Sequence, residues 1–151
     1  LSEYPVVVAD KRKYYIESNR SHYNNAHHSD GLDVAEQIIA ERYPEYSDAF
    51  TKVCNRTWAH MFNMFVMRRD LFDQYCEWMF SILGEIENRV DISEYDTYEA
   101  RIYGFVSEIL LDVWIEANHI NYKEQNVSFM EPQNWIKKGG LFLKRKFLGR
   151  A

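Results

Sequence analysis

The feature that most limits this chain is the stretch from residue 96 to 118. Ile102, Phe105, Ile109 and Val113 form one apolar row at helical spacing, and Ile102, Val106, Leu110 and Trp114 form a second beside it. Two adjacent rows make a face too broad for a surface helix. Such a helix is covered on most sides, so the fold has to be built around it. Residues 69–90 supply one cover, a long amphipathic helix in which Leu71, Tyr75, Trp78, Met79, Ile82 and Ile86 recur, with Asp70 where a cap belongs. Leu32, Ala35, Ile38, Ile39 and Tyr43 predict another, capped by Ser29 or Asp30 and ending at Pro44, which can start a further helix through about Cys54.

Strand signals are fewer. Val6, Val7, Val8 and Ala9 are short, mostly β-branched and followed by charge, which reads as a buried strand ending at a loop. Alternation through residues 61–67 (MFNMFVM) predicts a strand buried on both faces, with Asn63 as the one polar residue. Residues 126–130 (NVSFM) read as a short strand, and the tail as a final helix broken at Gly139 and Gly140. Residues 14–31 are rich in His, Asn, Ser and Tyr without a period, so they read as a functional loop or a partly helical connection. The fold class is α/β, predominantly helical, with two or three short strands.

At 151 residues, 46% hydrophobic and 27% charged, the composition is that of one soluble globular domain. Aromatic residues reach 16%, with 11 Tyr, a surplus that suits carbohydrate, nucleobase or partner surfaces, or else a Tyr-rich core. Cys54 and Cys76 lack the spacing of a disulfide framework or zinc knuckle, which fits a reducing compartment. No 18-residue apolar run is present, and residues 1–9 do not read as a signal peptide; the missing initial Met suggests a preceding segment. Residues 132–151 carry six basic residues and no acid, leaving 12 basic against 23 acidic, or −11, for the body. An acidic body with a basic tail is not a nucleic-acid binder, and the division places one domain over 1–131 and a basic amphipathic tail over 132–151.

Two constellations could carry chemistry. His22, His27 and His28 lie among Tyr and Asn; on one helix His22 and His27 would not share a face, so they read either as surface histidines or as donors to a polar ligand or phosphate rather than a metal set. Arg101, Gly104 and Glu108 do share a helical face. Glu108, flanked by Ile102, Phe105, Ile109 and Leu110, either pairs with Arg101 structurally or carries a raised pKa as a general base. Gly104 costs roughly 1 kcal/mol against Ala in a helix interior, which suggests a close approach there. Phosphate-loop, GxSxG and RNA-binding signatures do not occur.

In order along the chain, VADKRKYYIE (8–17), SHY (21–23) with His27, PEY (44–46), MFNMFVM (61–67), YCEW (75–78), RIYGFVSE (101–108) with Val113 and Trp114, and WIKKGGLFLKRKFLG (135–149) resemble one bacterial family. It is the glycosyltransferase-like family of capsular and exopolysaccharide synthesis proteins, a domain of unknown function in part associated with galactosyltransferases. The resemblance implies a Rossmann-like A-type fold and transfer of a hexose, galactose included, from a nucleotide-sugar to a lipid-linked saccharide. It also implies that this chain is the C-terminal part, because the family begins with a further α/β segment bearing a His-Tyr-Arg-Arg-Tyr-like motif absent here.

Carried over residue by residue, the resemblance puts Asp10, Lys11 and Arg12 at a strand end facing the donor diphosphate, with a divalent Mn or Mg ion as candidate cofactor. His22, Tyr23 and His27 would border the same cleft, Asn63 and His60 would bind sugar hydroxyls, Arg101 would join the substrate contacts, and Glu108 would deprotonate the acceptor. Trp135, Leu141, Phe142 and Phe147 among the tail's cations suit an anionic membrane surface, or a helix docked on the acidic body. That reading locates the protein in the cytoplasm, peripheral on the inner face of the bacterial plasma membrane. The competing reading is a non-catalytic helical accessory or truncated module that binds a partner protein or a membrane.

Overall fold

The computed structural model describes residues 3–128 together with Met130 and Gly140. The tail expected over 132–151 therefore lies outside the described residues, apart from Gly140. The described part is mixed α/β, with five α-helices and five short strands.

The chain opens with β1 (Val6–Ala9), β2 (Arg12–Lys13), α1 (Asn19–Ala26) and α2 (Asp30–Arg42). A 3-10 turn, Pro44–Tyr46, then leads into α3 (Ser47–Asn55), β3 (Trp58–Ala59), β4 (Phe65–Met67) and α4 (Arg69–Arg89). After a second 3-10 turn, Glu99–Arg101, come α5 (Ile102–Ala117) and β5 (Tyr122–Gln125). β1 is central in the larger sheet, antiparallel to β4 with Val8 opposite Phe65, and parallel to β5 with Val6 opposite Tyr122. β2 and β3 form a separate antiparallel ribbon in which Arg12 faces Ala59.

The doubled apolar rows do what their width requires. Ten residues of α5 are buried, and the helix packs against α2, α3 and α4. Leu110, Leu111, Val106 and Val113 are fully covered, each contributing about 1.5–3 kcal/mol by leaving water. Gly31, at the start of α2, lies hard against this helix: an added Cβ would sit 2.5 Å from Ile102 Cγ1 and 3.0 Å from the Tyr23 hydroxyl.

Three local expectations need correction. Residues 61–67 are not a strand buried on both faces; pairing begins at Phe65, while Phe62 (φ 79°) and Asn63 (φ 50°) turn through the left-handed region. Phe62, Met64 and Val66 are exposed, so alternation there reflects a turn followed by an edge strand. The last described strand is Tyr122–Gln125, ahead of the 126–130 segment. Of the two readings of residues 14–31, the partly helical one holds: α1 is capped by the Ser18 side chain, which accepts from the Ser21 N–H. Asp70 is not the cap of α4; Arg68 holds that position, and Asp70 pairs with it from the first turn.

Candidate functional site

A cleft of about 280 Å³ opens between α1, the β2 ribbon and the start of α5. Helical spacing explains its walls. Asn19, His22, Tyr23 and Ala26 stand on one face of α1, while Arg101, Phe105, Glu108 and Ile109 stand on one face at the start of α5. Arg12 and Tyr14, two residues apart, present the same side of an extended segment, and the Arg12 guanidinium lies 5.4 Å from the Tyr14 ring centre. His27 follows α1 in an extended conformation, which brings it to the same cleft as His22 despite the helical phase.

α1 is held in place by its first residue. The Asn19 amide donates to the carbonyls of Val53 and Trp58, tying the helix start to α3 and β3. Buried Glu17 lies 2.7 Å from His22 Nδ1 and accepts from the Asn25 amide, and the His22 ring stacks on Tyr14 at 3.9 Å. His27 stacks on Phe105 at 3.7 Å and meets Tyr23 edge-on at 5.2 Å. These contacts fix the imidazole planes before any ligand arrives.

Three residues of the lining carry buried polar atoms. Tyr14 Oη, Asn19 Oδ1 and Tyr23 Oη are buried and have no hydrogen-bond partner among the described residues. An unmade hydrogen bond of this kind costs about 1–3 kcal/mol, and three share one cleft. Burial pushes the Tyr14 hydroxyl up to about 12, against the pull of Arg12, and raises Tyr23 further, so both are neutral donors and acceptors near neutral pH.

Glu108 is partly buried in the same wall. Burial raises its carboxyl above the ordinary glutamate range, opposed by the nearby Phe62 backbone N–H and by the charges of Arg12 and Arg101. No ion pair joins it to Arg101 among the described residues; that guanidinium lies 5.5 Å from the Phe105 ring centre instead. Where a Cβ on Gly104 would stand there is open space, and the Gly104 carbonyl accepts from Asn63.

The cleft thus gathers Arg12, His22, Tyr23, His27, Arg101 and Glu108. Asp10, Lys11, His60 and Asn63 lie outside its lining. Asp10 is exposed just beyond β1, and Lys11 bonds Glu124 at 2.7 Å while its ammonium lies 4.8 Å from the Trp58 ring centre. His60 is buried against Asp112, and the Asn63 amide donates to Ser107 Oγ at 2.9 Å and to the Gly104 carbonyl at 3.1 Å. Among the described residues no group of three or more His, Cys, Asp or Glu could hold a metal ion. Tyr14, Asn19, Glu17 and Asp112 were not singled out from the sequence. Asp112 had a usable signal: it is a lone acid in an apolar run, one helical turn from Glu108.

The fold that carries this cleft is similar to part of a solved glycosyltransferase structure. The structure described as the WbbM bifunctional glycosyltransferase in its apo form superimposes with a TM-score of 0.76 at 29% identity, covering 80% of this chain and 23% of that one. The chain therefore spans less than a quarter of that protein's length. The family model described as a domain of unknown function, DUF4422, matches residues 1–119, and the chain belongs to that family. No curated protein matches the chain.

Proposed function

We propose that the cleft is a glycosyl-transfer site. The observation that carries this reading is the set of unpartnered polar atoms on Tyr14, Asn19 and Tyr23 beside a partly buried carboxylate and two guanidinium groups. Neutral donors and acceptors in such density suit sugar hydroxyls. Arg12 and Arg101 suit the diphosphate of a nucleotide-sugar donor, where charge-assisted bonds are strongest.

In the proposed reaction an acceptor hydroxyl oxygen bonds the anomeric carbon as the carbon–phosphate oxygen bond breaks. The electron pair leaves with the nucleoside diphosphate, and the hydroxyl proton passes to Glu108. A carboxylate made more basic by burial is suited to that role. Glu17 holds His22 Nδ1, which turns the opposite ring nitrogen away from it. The described residues do not themselves supply a metal's ligand set, so a divalent ion in this reaction would draw ligands from phosphate and from outside them, with Asp10 as the single carboxylate at the β1 end.

The likeness to WbbM supports glycosyl transfer in general, and the resemblance supports the finer reading: a hexosyl, galactosyl included, transferase in capsular or exopolysaccharide synthesis, with a lipid-linked saccharide as acceptor. On that reading residues 1–131 are the C-terminal part of a Rossmann-like A-type fold. The basic tail, residues 132–151, rests on the anionic inner face of the bacterial plasma membrane. Calorimetric titration of the full-length protein with UDP-hexoses, with and without Mn²⁺, tests the site. Binding heat that Arg12→Ala or Arg101→Ala weakens supports it; no heat with any donor favours a non-catalytic module.

A further inference from the structure

The first turn of α1 carries a polar pair at two positions where helices commonly carry an apolar one. Ser18 is the cap, so Glu17 precedes the cap and His22 is the fourth helical residue. Those positions are the usual place of a hydrophobic staple, two apolar side chains that fix the entry of the chain. Here they hold a carboxylate 2% exposed and an imidazole 14% exposed, with Glu17 Oε1 2.7 Å from His22 Nδ1. A buried polar pair fastens a helix no better than apolar contact does, because both groups lose their water. The pair therefore has work to do besides packing.

The contacts of this pair fix the state of the His22 ring. Asn25, one helical turn after His22, donates its amide to Glu17 Oε2 at 3.1 Å, so the two oxygens of the carboxylate meet different partners. An imidazole is a stronger base than a carboxylate by about two pH units, and the proton between Glu17 and His22 accordingly stays on Nδ1. The ring stacks on Tyr14 at 3.9 Å, and the Arg12 guanidinium lies 5.4 Å from the Tyr14 ring centre. Arg12, Tyr14 and His22 all line the cleft.

We infer that Glu17 is a positioning residue: with Asn25 it fixes His22 as the Nδ1-protonated tautomer, which makes Nε2 an acceptor for a hydroxyl of the hexose on a nucleotide-sugar. The tautomer follows from contacts within this chain, whereas the hexose hydroxyl rests on the glycosyl-transfer reading of the cleft. Arg12 suits the donor diphosphate, and the Tyr14 ring bridges Arg12 to His22. The sugar joined to that diphosphate comes to lie beside the imidazole.

The test reads the tautomer by ¹⁵N NMR of the imidazole nitrogens in the full-length protein at alkaline pH, with the His22 signals assigned by their loss in His22→Gln. Wild type is expected to show a protonated Nδ1 and an unprotonated Nε2; a protonated Nε2 overturns the inference with no further variant needed. In Glu17→Gln the new amide oxygen accepts from Asn25, which turns the amide NH₂ toward Nδ1, so the proton is expected to move to Nε2. Adding Asn25→Asp reverses that glutamine, because the aspartate takes its NH₂, and the Nδ1 tautomer is expected to return.

Calorimetry of wild type and these two variants with UDP-hexose and with UDP supplies the second readout. UDP-hexose affinity is expected to fall by about 5- to 10-fold in Glu17→Gln and to recover in the double variant, with UDP binding level throughout. A merely structural pair would give both variants the same affinity, and that result overturns the role toward the ligand. If wild type binds no UDP-hexose, the glycosyl-transfer reading fails, while the NMR result still decides whether Glu17 positions His22.

Discussion

His60 meets the Asp112 carboxylate twice, with its imidazole Nδ1 2.5 Å from Oδ1 and its backbone N–H donating to Oδ2 at 2.8 Å. Both side chains are buried, and the Arg56 guanidinium lies 2.6 Å from the same Oδ2. Burial alone would raise the Asp112 carboxyl, but the His60 bond and the Arg56 charge outweigh it and hold it below the ordinary aspartate range. This pair joins the end of β3 to α5, one turn from Glu108.

Asp112→Asn removes the nearer of two carboxylates beside the mostly buried Arg56, with Glu116 still 3.7 Å away, so the loss is expected below the about 3–5 kcal/mol that a fully broken buried pair costs. Urea denaturation near pH 7 measures this. Because the folded carboxyl is depressed, its stabilisation is fully present above the unfolded value of about 4 and is lost as pH falls through the folded value. The gap between wild type and variant therefore narrows in acid.

Tyr14→Phe and Tyr23→Phe each remove a buried hydroxyl that has no partner in the described structure. The melting temperature is expected to stay level or rise, while affinity for the sugar ligand falls by about 5- to 10-fold per lost hydrogen bond. Calorimetry and thermal melts on the same samples distinguish this from structural roles, for which the melting temperature would fall as well.

Gly31→Ala drives a methyl group into Ile102, which is only 2% exposed and has little room to move. Overpacking of this sort costs about 1–3 kcal/mol, which for a domain of this size is a drop of roughly 2–9 °C in melting temperature. The same displacement reaches the Tyr23 hydroxyl, so ligand binding weakens too.

Burial raises the Glu108 carboxyl, and a base must be ionised to act. kcat/KM is therefore expected to rise with pH to a plateau whose midpoint lies above the ordinary glutamate value of about 4.3. The stability sign is opposite: the contribution of protonated Glu108 is present below its unfolded value and lost as pH rises through the folded one. Glu108→Gln removes that pH dependence of stability, which pH-resolved denaturation reads directly.

The helices were legible because their apolar residues repeat along a local stretch of chain. Leu32 to Ile39 and Ile102 to Trp114 show their buried faces without any knowledge of partners. Glu108 could be singled out for the same reason, since its flanking residues enclose it. The 60–63 turn was not legible, because Phe62 and Asn63 take left-handed conformations fixed by bonds to residues more than 40 positions away. β5 was hidden by its polarity: Tyr122, Lys123, Glu124 and Gln125 form a strand through parallel pairing with β1, a long-range contact. α1 buries only Asn19 and Tyr23, too few to display a period, although they carry two of the three unpartnered polar atoms of the cleft's lining residues.

The most direct measurement is the rate of hexose transfer from a nucleotide-sugar to a saccharide acceptor by the full-length protein and its Glu108→Gln variant, with folding of both checked by circular dichroism. A general base contributes about 10²–10⁴-fold, so the account predicts a fall in kcat of at least about 100-fold with donor binding nearly unchanged. A folded variant that transfers sugar at the wild-type rate would contradict it.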